Sequence, residues 1–233
     1  MYLSVIIPAY NEEKRLEKTV RSVAEYLGRQ SYQSEIIIVD DGSTDSTLEL
    51  SNRLAQQFSI IKVISDSINH GKGYAVRTGI LKAVGDYRLF MDSDGSTPID
   101  QIEKLLPYFG QGFDVVIGSR RVEGADIRTD QPWYRIFLGF IFRNIVNLIL
   151  PLNVIDSQNG FKAFSAKSAQ DIFSKQKIDR WAFDVEVLAL AVKLGYKIKE
   201  VPIVWTDSAQ SKVTFGGMVG MLWEVVKVRW GNL

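Results

Sequence analysis

Residues 87–95 read Tyr87-Arg88-Leu89-Phe90-Met91-Asp92-Ser93-Asp94-Gly95, a short apolar run ending in an Asp-x-Asp set. The run has the length and composition of a buried strand. Side chains at i and i+2 of a strand point to the same side. Asp92 and Asp94 would therefore present two carboxylates together where the strand gives way to a loop. Such a pair suits a hard divalent cation, since Mg²⁺ takes oxygen ligands at ~2.0–2.1 Å, usually one or two carboxylates with phosphates and water. A cation held there can neutralise a diphosphate. The competing reading is a plain turn, for which Asp and Gly are common residues.

Outward from this stretch, strands and helices alternate. Residues 3–8 read as a strand and 12–27 as an amphipathic helix. A second strand, 35–39, ends in Asp40-Asp41-Gly42-Ser43-Thr44-Asp45, where Ser43 or Thr44 can cap a helix over 46–58. Residues 60–64 form a third strand, and the loop Asn69-His70-Gly71-Lys72-Gly73 leads into a helix over 74–83. Thr97-Pro98 has the form of an N-cap and first helical position, and 114–118 is a further buried strand. Strands separated by helices imply a mostly parallel sheet covered on both faces. Ligands of such sheets bind beyond the carboxyl ends of the strands. The segments 8–10, 40–42, 69–73 and 92–95 would all lie on that edge and line one cleft.

The second half holds an apolar helix over 134–150, then Asp156-Ser157-Gln158-Asn159-Gly160-Phe161-Lys162. A helix opened by Arg180-Trp181-Ala182-Phe183-Asp184-Val185-Glu186 follows, then a strand near 201–205 and a Gly-rich, Trp-bearing C-terminal helix over 215–230. No linker, repeat or low-complexity tract interrupts the chain, which reads as one domain over 1–233.

Composition excludes several classes of function. A hydrophobic content of 46% over 233 residues is ample for a sizeable core. With Lys+Arg 28 against Asp+Glu 27, the bulk charge that nucleic-acid binding calls for is missing. Cysteine is absent, so disulfides and thiolate metal sites are excluded, and the single His70 argues against a His-based zinc site or a Ser-His-Asp triad. Residues 1–8 carry no basic stretch before their apolar run, so no signal peptide is expected and the expected location is cytoplasmic. As a helix, the 17 residues 134–150 reach about 26 Å at ~1.5 Å per residue, short of the ~30 Å hydrocarbon core. Arg135, Gly139, Arg143 and Asn147 recur at i+4 and form one narrow polar stripe on it. That pattern suits a helix lying in a membrane interface, or one packed in protein with a functional stripe.

Four constellations carry chemistry. Asp92 and Asp94 are the metal pair. Asp40 or Asp41, at a strand end, can accept an N–H of a base, against the alternative of helix capping. Gly71-Lys72-Gly73 before a helix suits the approach of a phosphate. It is neither a P-loop nor a dinucleotide fingerprint, since position 76 is Val. Arg120, Arg121, Arg180 and Lys212 are later cations of the kind that recognise phosphate, although solvated surface charge is the commoner fate of each.

Taken in order, Pro8-Ala9-Tyr10-Asn11-Glu12, Val39-Asp40-Asp41-Gly42-Ser43-Thr44-Asp45, Gly71-Lys72-Gly73 and Asp92-Ser93-Asp94-Gly95 resemble the inverting family 2 glycosyltransferases of GT-A fold. Gly118-Ser119-Arg120, the 156–162 and 180–186 stretches and Ser211-Lys212-Val213 are similar to the dolichyl-phosphate β-glucosyltransferase branch, so the resemblance covers nearly the whole chain. It implies an α/β, Rossmann-like, mostly parallel sheet flanked by helices, with amphipathic helices on the acceptor side. Residues 1–118 would bind the nucleotide sugar, and 119–233 the acceptor.

The resemblance also implies roles. Pro8, Tyr10 and Glu12 would cradle the nucleoside, and Asp40 or Asp41 would read uracil. Lys72 would sit near the donor, and Asp92 and Asp94 would bind Mg²⁺ or Mn²⁺ on the UDP diphosphate. Arg120, Arg180 and Lys212 would meet the acceptor phosphate or the diphosphate, while Asp156 would orient donor or acceptor. The expected reaction moves glucose from UDP-glucose to a polyprenyl phosphate, at a membrane surface reached through 134–150 and 215–230, with the N-terminal membrane anchor of eukaryotic relatives expected to be missing. Asn159 stands where this branch often carries Cys. Ser96 stands where mannose-transferring relatives carry Gln, which tilts the donor away from GDP-mannose. Rival readings are a mannose synthase-like enzyme using GDP-mannose, a family 2 enzyme extending a soluble glycan or polysaccharide, and a non-catalytic nucleotide-sugar or membrane-binding module. The glycan reaction needs a carboxylate base for a neutral hydroxyl, and no clear Glu-Asp pair is placed for it. A binding-only module has no use for a metal-assisted leaving group.

Overall fold

Every residue of 3–9 is buried, and Val5 and Ile7 pack on one side while Ile6 packs on the other. A strand loaded with β-branched residues on both faces is a central strand of a covered parallel sheet. A computed structural model describes residues 2–128, 139, 144–146, 149–150, 152, 154–207 and 215–230. In it β1 (Tyr2–Ala9) pairs in parallel with β2 (Gln33–Asp41) and with β4 (Tyr87–Met91), and β2 pairs in parallel with β3 (Ile61–Asp66). Beyond β4 come β7 (Phe161–Ser165), β5 (Val115–Ser119) and β8 (Ile198–Pro202), giving the order β3-β2-β1-β4-β7-β5-β8. Two short strands, β6 (Asp126–Ile127) and β9 (Val204–Trp205), pair separately.

Helices cover both faces. α1 (Leu16–Leu27), α2 (Thr47–Gln57) and α4 (Ile102–Gly110) pack Val20, Leu54 and Leu105 against Val5, Ile36 and Leu89. On the other face α3 (Lys72–Lys82), α5 (Ala166–Phe173) and α6 (Phe183–Lys193) pack Ile80, Ile172 and Val187 against Ile37, Phe90 and Phe164. Phe183 to Ala191 of α6 are all buried, which marks a helix enclosed on every side. α7 (Phe215–Trp230) sends Met221, Val225 and Val228 into the same core.

β7 was not anticipated from the sequence, and it shapes the site. It runs antiparallel to both neighbours, with Phe90 opposite Lys162 and Met91 opposite Phe161. An antiparallel strand begins where its parallel neighbours end, so the segment before β7, residues 156–160, arrives at the carboxyl edge of the sheet. Other expectations shift by a turn. α1 begins at Leu16 rather than Glu12, because Arg15, at φ −120° and ψ −33°, departs from helical geometry just before it. α3 begins at Lys72 rather than Tyr74. Pro98 is extended (φ −60°, ψ 143°), so the helix starts after it. Neither Ser43 nor Thr44 caps α2; Asp45 Oδ1 instead accepts the Thr47 N–H at 2.9 Å. Of helix 134–150, Arg135, Arg143 and Asn147 lie outside the described residues, and Val146 and Leu150 are buried in the core.

At the opposite, amino edge of the sheet, the buried Glu35 joins three segments. Its Oε1 accepts from Ser4 Oγ at 2.6 Å and from the Val84 N–H at 2.9 Å, and its Oε2 accepts from Lys62 Nζ at 2.7 Å. Burial pushes its pKa up, but the hydrogen bonds from Lys62, Ser4 and Val84 outweigh it and hold the carboxyl below the usual glutamate range. Glu35→Ala strands the Val84 N–H and the Ser4 hydroxyl, at a cost of about 1–3 kcal/mol. A carboxylate with a depressed folded pKa stabilises above its unfolded value and loses that contribution as pH falls through the folded one. Urea unfolding should therefore show the wild-type advantage in full at pH 7 and shrinking below about pH 4.3, the ordinary glutamate value.

Candidate active site

The loops following β1 and β2 are sewn together by one side chain. Asn11 Oδ1 accepts from the Thr44 N–H at 2.8 Å and the Asp45 N–H at 3.4 Å, while the Asn11 N–H donates to Ser43 Oγ at 2.9 Å. The Glu12 N–H donates to Thr47 Oγ1 at 2.7 Å. This tie leaves Pro8 buried in β1 and Tyr10 exposed at its end. The Glu12 carboxylate is gripped by Arg15, whose Nε and Nη2 each donate at 2.7 Å. Arg15 Nη1 also lies 4.0 Å from Asp94 Oδ2, so one guanidinium connects the β1 loop to the Asp-x-Asp set.

Asp40 and Asp41 separate by role. Asp41 Oδ2 accepts from the Gly71 N–H at 2.7 Å and Asn69 Nδ2 at 3.0 Å, and its Oδ1 accepts from the His70 N–H at 3.0 Å. Burial raises its pKa in spite of these bonds. Asp41 thus shapes the loop before α3 and is already committed there. Asp40 is 1% exposed; its Oδ2 accepts from the Ser43 N–H at 3.3 Å, and its Oδ1 has no hydrogen-bond partner among the described residues. A buried acceptor left open calls for an explanation such as an incoming donor.

Lys72 and Gly160 flank Asp92. Lys72 Nζ sits 2.6 Å from Asp92 Oδ1. Desolvation opposes its charge, but the carboxylates of Asp92 and Asp184 overcome it and raise the Lys72 pKa. The Asp92 N–H donates to Gly160 O at 3.2 Å, and a Cβ on residue 160 would overlap the Asp92 carboxylate. Asp94 Oδ1 accepts from the Ser96 N–H at 2.9 Å. Burial, then the charge of Asp92, raise the Asp94 pKa. Gly71 (φ 122°) and Gly73 have no room for a side chain, because residues 178–180 press against them. That contact brings Trp181 and Phe183 over Lys72 Nζ, at 5.7 and 5.9 Å from the ring centres. Arg180 is exposed beside Gly71, and Lys212 lies outside the described residues.

Arg120 and Asp156 form the far wall. Asp156 accepts from Arg120 Nε and the Arg120 N–H, both at 2.9 Å, and from Nη2 at 2.7 Å. Burial pushes the Asp156 pKa up, yet the guanidinium of Arg120 prevails and lowers it. Glu200 accepts the N–H groups of Ile155 and Asp156 at 2.8 and 2.9 Å, and Trp205 stacks on Arg120 at 5.2 Å. Between the walls lies a cleft of about 90 Å³ lined by Asp92, Asp94, Ser96, Thr97, Arg120, Gln158, Gly160 and Trp205. The structure brings Asp92, Asp94, Lys72 and Arg120 to one place. Asp156 holds Arg120 rather than facing the cleft.

The family model for glycosyl transferase family 2 matches residues 4–173, which takes in this edge from β1 through β7. The chain belongs to glycosyl transferase family 2. Among curated relatives of this family 2 enzyme, a dolichyl-phosphate beta-glucosyltransferase of Trichomonas vaginalis is 36% identical, over 98% of this chain and 73% of its own length. The Dictyostelium discoideum and human dolichyl-phosphate beta-glucosyltransferases are 36% and 33% identical, over 100% and 91% of this chain and 75% and 69% of theirs. Among solved structures, Mycobacterium tuberculosis glucosyl-3-phosphoglycerate synthase in complex with Mn²⁺, UDP-glucose and phosphoglyceric acid superposes with a TM-score of 0.72 at 22% identity. The match covers 97% of this chain and 77% of that one, and it establishes the GT-A fold expected above.

The donor set of this family 2 site fits a divalent cation. Among the described residues no group of three or more His, Cys, Asp or Glu assembles as a metal cluster. A carboxylate pair suits a metal that arrives with a diphosphate and water as its other ligands. Burial, and after it repulsion from Asp92, raises the Asp94 pKa, and a cation between the two carboxylates would relieve that repulsion. Sequence reading passed over Arg15, Glu200 and Trp205. Arg15 had a signal, since Glu12 and Arg15 are an i,i+3 pair of opposite charge. Glu200 and Trp205 gave none, because their roles depend on β8 meeting the 155–156 backbone and on β9 meeting Arg120.

Proposed function

We propose that this family 2 glycosyltransferase moves glucose from UDP-glucose to a polyprenyl, dolichyl-type phosphate, inverting the anomeric carbon to give a β-linked lipid-phosphate sugar. The observation that carries this reading is the makeup of the cleft. Among the described residues lining it, Asp92 and Asp94 are its carboxylates, and nearby Asp156 is consumed by Arg120. A neutral hydroxyl acceptor would need a base there. A phosphate is already anionic and can attack without one, so catalysis rests on positioning and charge stabilisation. The relatives named dolichyl-phosphate beta-glucosyltransferase, matching over nearly the whole chain, support the same acceptor and the same transferred sugar.

Asp40 Oδ1 is the proposed acceptor for a base N–H, beside Pro8 and Tyr10. Glu12 acts through Arg15, holding it near Asp94. Asp92 and Asp94 are the proposed ligands of Mg²⁺ or Mn²⁺, which would stabilise charge on the departing UDP. Lys72 and Arg120 offset repulsion between two phosphate-bearing substrates, with Arg180 and Lys212 as further proposed phosphate contacts. Attachment is proposed to be peripheral, on the cytoplasmic face of a membrane. Among the described residues no helix is long and apolar enough to cross one. On α7, Trp223 is 63% exposed with Lys227 Nζ 6.0 Å over its ring, a pairing suited to an anionic interface.

A panel of nucleotide sugars against a polyprenyl phosphate and the unphosphorylated polyprenol, each with and without Mg²⁺ or Mn²⁺, tests this reading. Glucose should pass from UDP-glucose to the phosphate alone, and only with metal. Transfer to the free polyprenol, or preference for GDP-mannose, would overturn it.

A further inference from the structure

The Lys162 side chain is wholly buried, and so is nearly all of Asp184. Lys162 Nζ donates to Asp184 Oδ1 and to Asn159 O, both at 2.5 Å, and lies 5.2 Å from the centre of the Phe90 ring. Apolar residues of similar volume often serve stability as well as a buried ion pair or better. Packing alone therefore gives little reason for charge at this point in the core.

Its connections supply a reason. On one side, Lys162 holds the Asn159 carbonyl and thereby the turn into Gly160. Gly160 O receives the Asp92 N–H, and its Cα lies directly against the Asp92 carboxylate. On the other side, Asp184 sits in the first turn of α6. The segment entering α6 presses on Gly71 and Gly73, and Asp179 O accepts the Tyr74 N–H at 3.0 Å. Between those glycines is Lys72, bonded to Asp92 Oδ1 at 2.6 Å. The Gly160 turn and the Lys72 loop thus both bear on Asp92, and the Lys162–Asp184 pair is the bolt between them.

We propose that Lys162 and Asp184 are positioning residues that aim the Asp92 carboxylate at the cation, by holding the Asn159-Gly160 backbone and the start of α6 at a fixed separation. The inference rests on the metal reading of Asp92 and Asp94 given above. Residues that orient a metal ligand from behind typically change metal affinity by about 10–100-fold when replaced.

The test uses the full chain and Mn²⁺ as its probe. Paramagnetic resonance counts free Mn²⁺ in the presence of UDP, calorimetry measures UDP binding without metal, and urea unfolding reports stability. A Lys162→Met, Asp184→Leu double variant fills the space with apolar groups. It should unfold at or above the wild-type midpoint and bind UDP normally without metal, yet hold Mn²⁺ about 10-fold or more weakly. Lys162→Met, Asp184→Asn also removes both charges, with less change of shape and no lone charge left buried, and it should weaken Mn²⁺ binding as well. It decides the matter if the first variant does not fold. A folded variant with wild-type Mn²⁺ affinity overturns this proposal alone. A wild-type protein that takes up no Mn²⁺ with UDP overturns the metal reading, and this proposal with it.

Discussion

Asp92→Asn, Asp94→Asn should cut glucose transfer by about 10³-fold or more, since even one electrostatic donor to a developing charge is worth about 10²–10³ in turnover. The substitutions keep shape and remove two negative charges. Those charges repel each other: burial and the Asp92 charge together raise the Asp94 pKa. Removing them relieves that repulsion, although it also deprives Lys72 of its carboxylate partner at 2.6 Å. The melting temperature should stay near wild type while metal-dependent turnover disappears. UDP should still bind without metal, because the Asp40 and Asp41 loops are untouched. Undiminished turnover by the double variant would remove the metal clamp from the mechanism.

The parts of the site visible in sequence are those where strand, loop and helix follow one another locally. An apolar run ending in Asp-x-Asp gave β4 and its carboxylates, and the same pattern gave β1, β2 and the edge they share. What stayed hidden depends on partners far along the chain. Asp40 and Asp41 are neighbours with similar burial, yet only Asp41 is taken up by a loop about thirty residues on. β7 carries a charge in the middle of a short Phe-Lys-Ala-Phe run, which weakens its reading as a buried strand until Asp184, 22 residues later, supplies the counter-charge. Asp156 offered itself as a substrate-facing carboxylate because its partner, Arg120, is 36 residues away. In each case the side chain's type was plain, and its availability was decided by tertiary contacts.

Gly160→Ala should separate activity from stability without replacing any charged group. A methyl at this position would overlap the Asp92 carboxylate, with Oδ1 at 2.6 Å. The obstructed group is the end of a rotatable side chain that is partly exposed and can swing aside, so the folded state should lose little. A swing of about 1 Å is nevertheless enough to cost on the order of 10²-fold in rate when it misplaces a reacting assembly. The expected result is a protein with wild-type urea unfolding, turnover down about 10²-fold and a raised Mn²⁺ requirement. Gly110→Ala is the matched control: nothing lies within 4 Å of its added methyl, and α4 gains a better helix former at its last residue. If Gly160→Ala turned over like wild type at limiting Mn²⁺, the Asp92 carboxylate would not depend on the space that this glycine leaves open. The antiparallel strand that delivers residues 156–160 to the cleft would then serve the Arg120 wall alone.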